Sequence, residues 1–154
     1  MIDLPDDFRD LLVELARAQA EFVVVGGYAV AFHGNPRATK DLDVLVHATT
    51  TNATRVYQAL AAFGAPVSAF DVTVEDFETY DGVLQIGVPP VRIDVLNRIQ
   101  AVSFEEAVAD GCAFELEGYR IPVIGLPALL RNKSAVAREQ DIADVAALSA
   151  KKGG

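Results

Sequence analysis

Apolar residues recur along this chain at two spacings, and the switches between them mark its elements. Phe8, Leu11, Leu12, Leu15 and Ala16 repeat at three and four residues, which predicts a helix over 8–18, capped by Asp6 or Asp7 and packed on a sheet beside the first strand. The β-branched run FVVV at 22–25 predicts a short buried strand. It ends on Gly26-Gly27 ahead of YAVAF at 28–32, which reads as the first turns of a buried helix. Asn35-Pro36 breaks that helix, leaving Arg37, Ala38, Thr39 and Lys40 as a loop into DLDVLV at 41–46, an alternating strand. Threonines cap a helix over 49–63 with Val56, Tyr57, Leu60 and Phe63 on its apolar face. Thr73-Val74-Glu75-Asp76 and Ser103-Phe104-Glu105-Glu106 read as helix starts, the second with capping-box spacing. Strands over 83–86 and 91–96 form a hairpin around 87–90, and 114–116 with 119–121 form another around Glu117-Gly118. Helices over 126–137 and 141–149 follow, and 151–154 reads as a disordered tail.

Composition narrows what this pattern builds. A length of 154 residues at 51% hydrophobic supports one domain with a real core, over 1–150, and is too short for two ordinary ones. A net charge of −9 gives no global drive toward nucleic acid or anionic membrane. The lone Cys112 rules out an intramolecular disulfide and a multi-cysteine metal site, and fits a small buried residue in a reducing compartment. The acidic first seven residues lack the pattern of a secretory signal, and the apolar run 22–32 is too short to span a bilayer. The expectation is a cytoplasmic protein with no membrane partner.

The chemistry concentrates between positions 26 and 43. Side chains alternate across a strand, so Asp41 and Asp43 share one face while Leu42 and Val44 face the other. Two acids this close repel unless a cation lies between them, and hard oxygen ligands favour Mg²⁺ over zinc. A bare Asp-x-Asp is more often a solvated strand edge or turn. Here it follows a strand, a Gly-Gly turn and a helix N-terminus, a combination that presents backbone N–H groups to an anion.

Gly26-Gly27, His33-Gly34, Arg37, Thr39, Asp41 and Asp43 together resemble the nucleotidyltransferase superfamily with the DNA polymerase β-like catalytic fold. The likeness is strongest to its abortive-infection and toxin–antitoxin branch. It implies a single-domain α/β (α+β) nucleotidyltransferase fold, a mixed β-sheet flanked by helices. It also implies catalytic and metal-binding roles for Asp41, Asp43 and a third acid on a neighbouring strand. Asp94, the one acid in the apolar run VRIDVL at 91–96, stands at the matching place. A buried acid needs a metal, a cation or a hydrogen-bond network, and Arg92, two residues back on the same face, is the alternative partner. The segment 129–144 is similar to the family's C-terminal pattern of a helical lysine, an arginine and Asp-x-x-Asp. That implies nucleotide-binding roles for Lys133 and Asp141 beside Gly26, Gly27, Arg37 and Thr39. Read without the upstream motif, the same residues are a solvated helix and helix-start acids.

The resemblance implies transfer of a nucleoside monophosphate from an NTP to a hydroxyl acceptor, with Mg²⁺ or Mn²⁺ as cofactor. RNA, including tRNA, or protein is the favoured acceptor, and a cognate antitoxin is an implied partner. A nucleotide- or partner-binding module without catalysis, and an enzyme modifying a small molecule such as an antibiotic, are the alternatives. Retention of all three carboxylates speaks against the first. His33 and His47 read as packing or capping residues.

Overall fold

The computed structural model describes residues 4–35, 41–64, 83–86 and 92–153. Arg37, Thr39 and Lys40, the helix start at 73–76 and the turn at 87–90 lie outside them. Among the described residues, six strands, β1 (Phe22–Val25), β2 (Asp41–Val46), β3 (Val83–Ile86), β4 (Arg92–Leu96), β5 (Cys112–Leu116) and β6 (Tyr119–Val123), form one sheet in the order β3-β4-β2-β1-β6-β5. The sheet is mixed. β1 pairs antiparallel with β2 and parallel with β6, β2 runs parallel to β4, and β3/β4 and β5/β6 are antiparallel. The expected α/β architecture of a mixed sheet flanked by helices is the one observed.

The helices are α1 (Asp6–Arg17), α2 (Gly26–Phe32), α3 (Thr50–Phe63), α4 (Phe104–Ala109), α5 (Leu126–Val136) and α6 (Glu139–Gly153). α1 starts two residues earlier than its apolar spacing suggests. Pro5 holds the N-cap position without a side-chain bond, and Asp6 and Asp7 lie in the first turn, where acids favour the helix dipole. Its buried face, Phe8, Leu11, Leu12 and Leu15, packs against α3 and β6. Phe8 meets Tyr28 of α2 edge to face, with ring centroids 5.5 Å apart.

Local signals set the other ends. Thr49 Oγ1 accepts from Asn52 N at 3.2 Å, and Gly64 closes α3 with φ of 98°. The capping box forms as spaced, with Ser103 and Glu106 exchanging two 3.0 Å bonds. The β5/β6 hairpin is longer than expected and turns through Glu117 and Gly118, both at positive φ, which suits the twist of paired strands. α6 extends beyond the expected 141–149 at both ends. Cys112 is half-buried rather than buried, because β5 is the sheet edge.

The core joins the central strands to α1 and α3, with Val23, Leu42, Val44, Val56, Leu60 and Ile121 fully enclosed. Buried Asn52 fastens it. Its amide donates to the carbonyls of Glu21 at 2.9 Å and His47 at 2.8 Å, and its oxygen accepts from Glu21 N. With both strand ends satisfied this way, α3 is locked over the β1/β2 pair.

Candidate active site

Strand register carries the acids to one place. β2 and β4 run in parallel with Asp41 beside Arg92 and Asp43 beside Asp94, so four charged side chains share one face of two adjacent central strands. Across the other edge of β2, Val25 pairs with Asp43, which brings the following Gly26 against the Asp43 carboxylate. Gly26 adopts φ of 67°, and a Cβ there would meet Asp43 Oδ2 at 2.1 Å. Both the backbone conformation and the contact demand glycine. Gly26→Ala is expected to cost on the order of 2 kcal/mol, from left-handed strain and displacement of the carboxylate. Thermal unfolding checks it.

Gly26, Asp43, Asp94, Lys133 and Asp141 line one cleft of about 280 Å³. Val25, Leu96, Ile99, Gln100, Asn132, Val136 and Arg138 complete its wall. Gly27 is buried within the first turn of α2, and Asp41 lies farther up β2, outside the lining. Arg37 and Thr39 fall outside the described residues. A slightly larger cleft of about 320 Å³, bordered by Glu21, Phe104, Cys112 and Arg120, has no carboxylate pair in its lining.

Electrostatics mark Asp43. Its pKa is pushed up from 3.8 to about 7, first by burial, then by the charge of Asp94 and a hydrogen bond shared with it, and by Asp41; Lys133 pulls the other way. Asp94 is buried, and its Oδ1 has no hydrogen-bond partner. Arg92 supplies the local positive charge. Its Nη2 donates to Asp41 Oδ2 at 3.0 Å and to Asp94 Oδ2 at 3.4 Å, while its Nε approaches Asp94 Oδ1 at 3.2 Å without hydrogen-bond alignment. Sequence spacing anticipated the Arg92–Asp94 pair. The Asp41 contact needed the β2/β4 register, which no local pattern reveals.

Among the described residues, no three His, Cys, Asp or Glu side chains converge closely enough to enclose a metal as they stand. Arg92 shares the space with the acids instead. The donors still suit a hard divalent cation: carboxylate oxygens only, one of them buried without a hydrogen bond, and mutual repulsion that a cation relieves.

The opposite wall is a second charged cluster. Lys133 is buried, and its Nζ donates to Asp141 Oδ1 at 2.8 Å and lies 3.0 Å from Asp144 Oδ2. The solvated-helix reading of these residues is thereby corrected: α5 and α6 pack together and enclose all three. Arg138 grips Asp141 through Nε at 2.6 Å and its backbone N–H at 3.2 Å. Burial pushes the Asp141 pKa up, but the hydrogen bonds from Arg138 and Lys133 outweigh it and hold the carboxyl at about 2. Gln140 donates to Asp144 at 3.0 Å. The Asp-x-x-Asp spacing was the signal for Asp144, since three residues on is the same helix face.

The histidines are structural. His33 ends α2 and shares a 2.7 Å hydrogen bond with the Ile124 carbonyl just past β6. His47 stacks on Phe104 and bonds to Glu21 and Glu105.

Residues 5–153 match the family described as nucleotidyl transferase of unknown function (DUF2204). No curated protein matches the chain. Among solved structures, it resembles the crystal structure of a candidate nucleotidyltransferase from Thermotoga maritima, with a TM-score of 0.52 and 12% identity over 95% of this chain and 90% of that one. That likeness shows a shared fold. No helix among the described residues is long and apolar enough to cross a membrane.

Proposed function

The chain belongs to the family of nucleotidyl transferases of unknown function, and from that premise we propose that it moves a nucleoside monophosphate from an NTP to a hydroxyl acceptor, RNA or protein, with Mg²⁺ or Mn²⁺ as cofactor. The observation that carries the reading is the pairing of Asp43 with Asp94 across β2 and β4, with Gly26 against Asp43 and Lys133 on the facing wall of the same cleft.

In this reading the acceptor oxygen attacks the α-phosphorus, the bond from that phosphorus to the bridging oxygen breaks, and pyrophosphate leaves. Asp41, Asp43 and Asp94 would hold the divalent ions, which when bound offset the charge of the triphosphate and of the developing oxyanions. Asp94 Oδ1, buried and without a hydrogen bond, is the acceptor available for the hydroxyl proton. The Gly26-Gly27 backbone at the start of α2 would border the phosphates, and Arg37 and Thr39, further along the sequence, are the remaining nucleotide-binding candidates. Lys133 and Arg138, oriented by Asp141, provide positive charge toward the departing pyrophosphate. Leu96, Ile99 and Val136 give the cleft an apolar side suited to a base.

One observation favours a second reading, a nucleotide- or partner-binding module without turnover: Arg92 already pairs with two of the three acids. Incubating the protein with each α-³²P-labelled NTP, Mg²⁺ and a cell extract, then resolving RNA and protein separately, decides between them. Label in one fraction is the expected result and identifies base and acceptor class together. Nucleotide binding with no label in RNA, protein or any small molecule of the extract would favour the second reading. Growth arrest on expression, relieved by a protein encoded beside this one, would extend the first to a toxin with its antitoxin.

A further inference from the structure

Arg92 is the one charged group in the carboxylate cluster that the proposed reaction leaves without a task. It sits two residues before Asp94 on the same face of β4, and the register with β2 sets it beside Asp41. Its guanidinium spans the gap between those two acids, 3.0 Å from Asp41 Oδ2 and 3.2 Å from Asp94 Oδ1. The second contact is close yet makes no hydrogen bond, and both of its atoms are buried. An arginine evolved purely as a structural clamp would engage a carboxylate through two aligned N–H···O bonds. This one makes a single long hydrogen bond to Asp94, from Nη2 to Oδ2 at 3.4 Å, and about a third of its side chain is exposed, so it has an open path out.

We infer that Arg92 is an exchangeable internal counter-ion: it neutralises Asp41 and Asp94 in the metal-free protein and must withdraw from them when a divalent cation binds. The inference rests on the proposed function, because it takes the three acids as the cation's ligands. Its physical basis is charge balance. Three carboxylates without a cation repel, and a single guanidinium between two of them offsets part of that repulsion. Once a divalent ion arrives, the guanidinium becomes a like charge beside it and competes for the same oxygens. Cation binding is then an exchange whose apparent affinity is lowered by the cost of displacing Arg92.

The test uses Mn²⁺ alone, without nucleotide, read from the loss of its free-ion paramagnetic resonance signal on titration. Wild type, Arg92→Gln, Arg92→Lys and Asp94→Asn are compared, with thermal unfolding of each in the metal-free state. Arg92→Gln is expected to bind Mn²⁺ roughly tenfold more tightly than wild type while unfolding at a lower temperature without metal. Arg92→Lys, a more mobile point charge, is expected between the two and keeps the test open should the glutamine variant not fold. Asp94→Asn is expected to lose Mn²⁺ binding. Equal or weaker Mn²⁺ affinity in both Arg92 variants, with wild type binding and Asp94→Asn not, overturns this inference and leaves the proposed function standing. Failure of every protein to bind Mn²⁺ at millimolar concentration overturns both.

Discussion

Asp43→Asn is expected to lose label transfer by on the order of 10³-fold or more, and yet to unfold at a higher temperature than wild type in metal-free buffer at pH 8. The two effects have one cause. Asp43 stands in the cleft between Asp41 and Asp94, where its negative charge serves a bound cation and, without one, costs stability. The sign follows from linkage. The carboxyl titrates near 3.8 when unfolded and about 7 when folded, so between those values the native state holds the proton more tightly. Stability from this group is therefore complete below about pH 4, falls as pH rises toward 7, and is absent above. An uncharged amide escapes that loss. The gain at pH 8 is on the order of 2 kcal/mol, below the full linkage value because the site is partly solvated, and it disappears near pH 4. Added Mg²⁺ should reverse the ranking by stabilising wild type alone. Thermal unfolding at both pH values, with and without Mg²⁺, reads all of this; a destabilised variant at pH 8 without metal would count against a repulsive carboxylate cluster.

The largest loss of stability is expected at Lys133. Its ammonium is enclosed with Asp141 and Asp144, the latter fully buried. Lys133→Met removes the ammonium that the buried carboxylates of Asp141 and Asp144 share, which costs about 3–5 kcal/mol. Arg138→Ala should cost under about 1 kcal/mol, since that side chain is 74% exposed although it holds the same Asp141. Urea unfolding of the two variants measures the contrast. The double substitution of Lys133 and Asp144 by methionine and asparagine should recover part of the loss, because no unpaired charge then remains. The Asp141 carboxyl, held at about 2, adds stability above pH 4 that is lost as pH falls through 2, so the α5/α6 junction is also a point of acid sensitivity.

Several elements were readable because their signals are local. The FVVV run, the Gly-Gly turn behind it, the alternation of DLDVLV and the Ser103 capping box each bring their own backbone preference, and each element formed where those signals stand. Asp41, Asp43 and Asp94 stood out in the sequence for the same reason: acids inside apolar strands need a partner whatever the fold around them. Helix ends were less legible. Pro5, not Asp6 or Asp7, opens α1, because no carboxylate bonds back to the first turn.

By itself, then, the sequence determined the strands that carry the acids, the face those acids share and the glycine they require, all consequences of side-chain alternation and backbone sterics within a few residues. Beyond the Arg92–Asp94 pair two residues apart, only the tertiary structure decided who partners them. Parallel pairing of β2 with β4 brings Arg92 to Asp41 from 51 residues away, and packing of α5 on α6 turns Lys133 from a helix-surface cation into a buried one between two aspartates. Charge pairing acts over a few ångströms of space, and chain spacing reports such distances only within one turn or one strand.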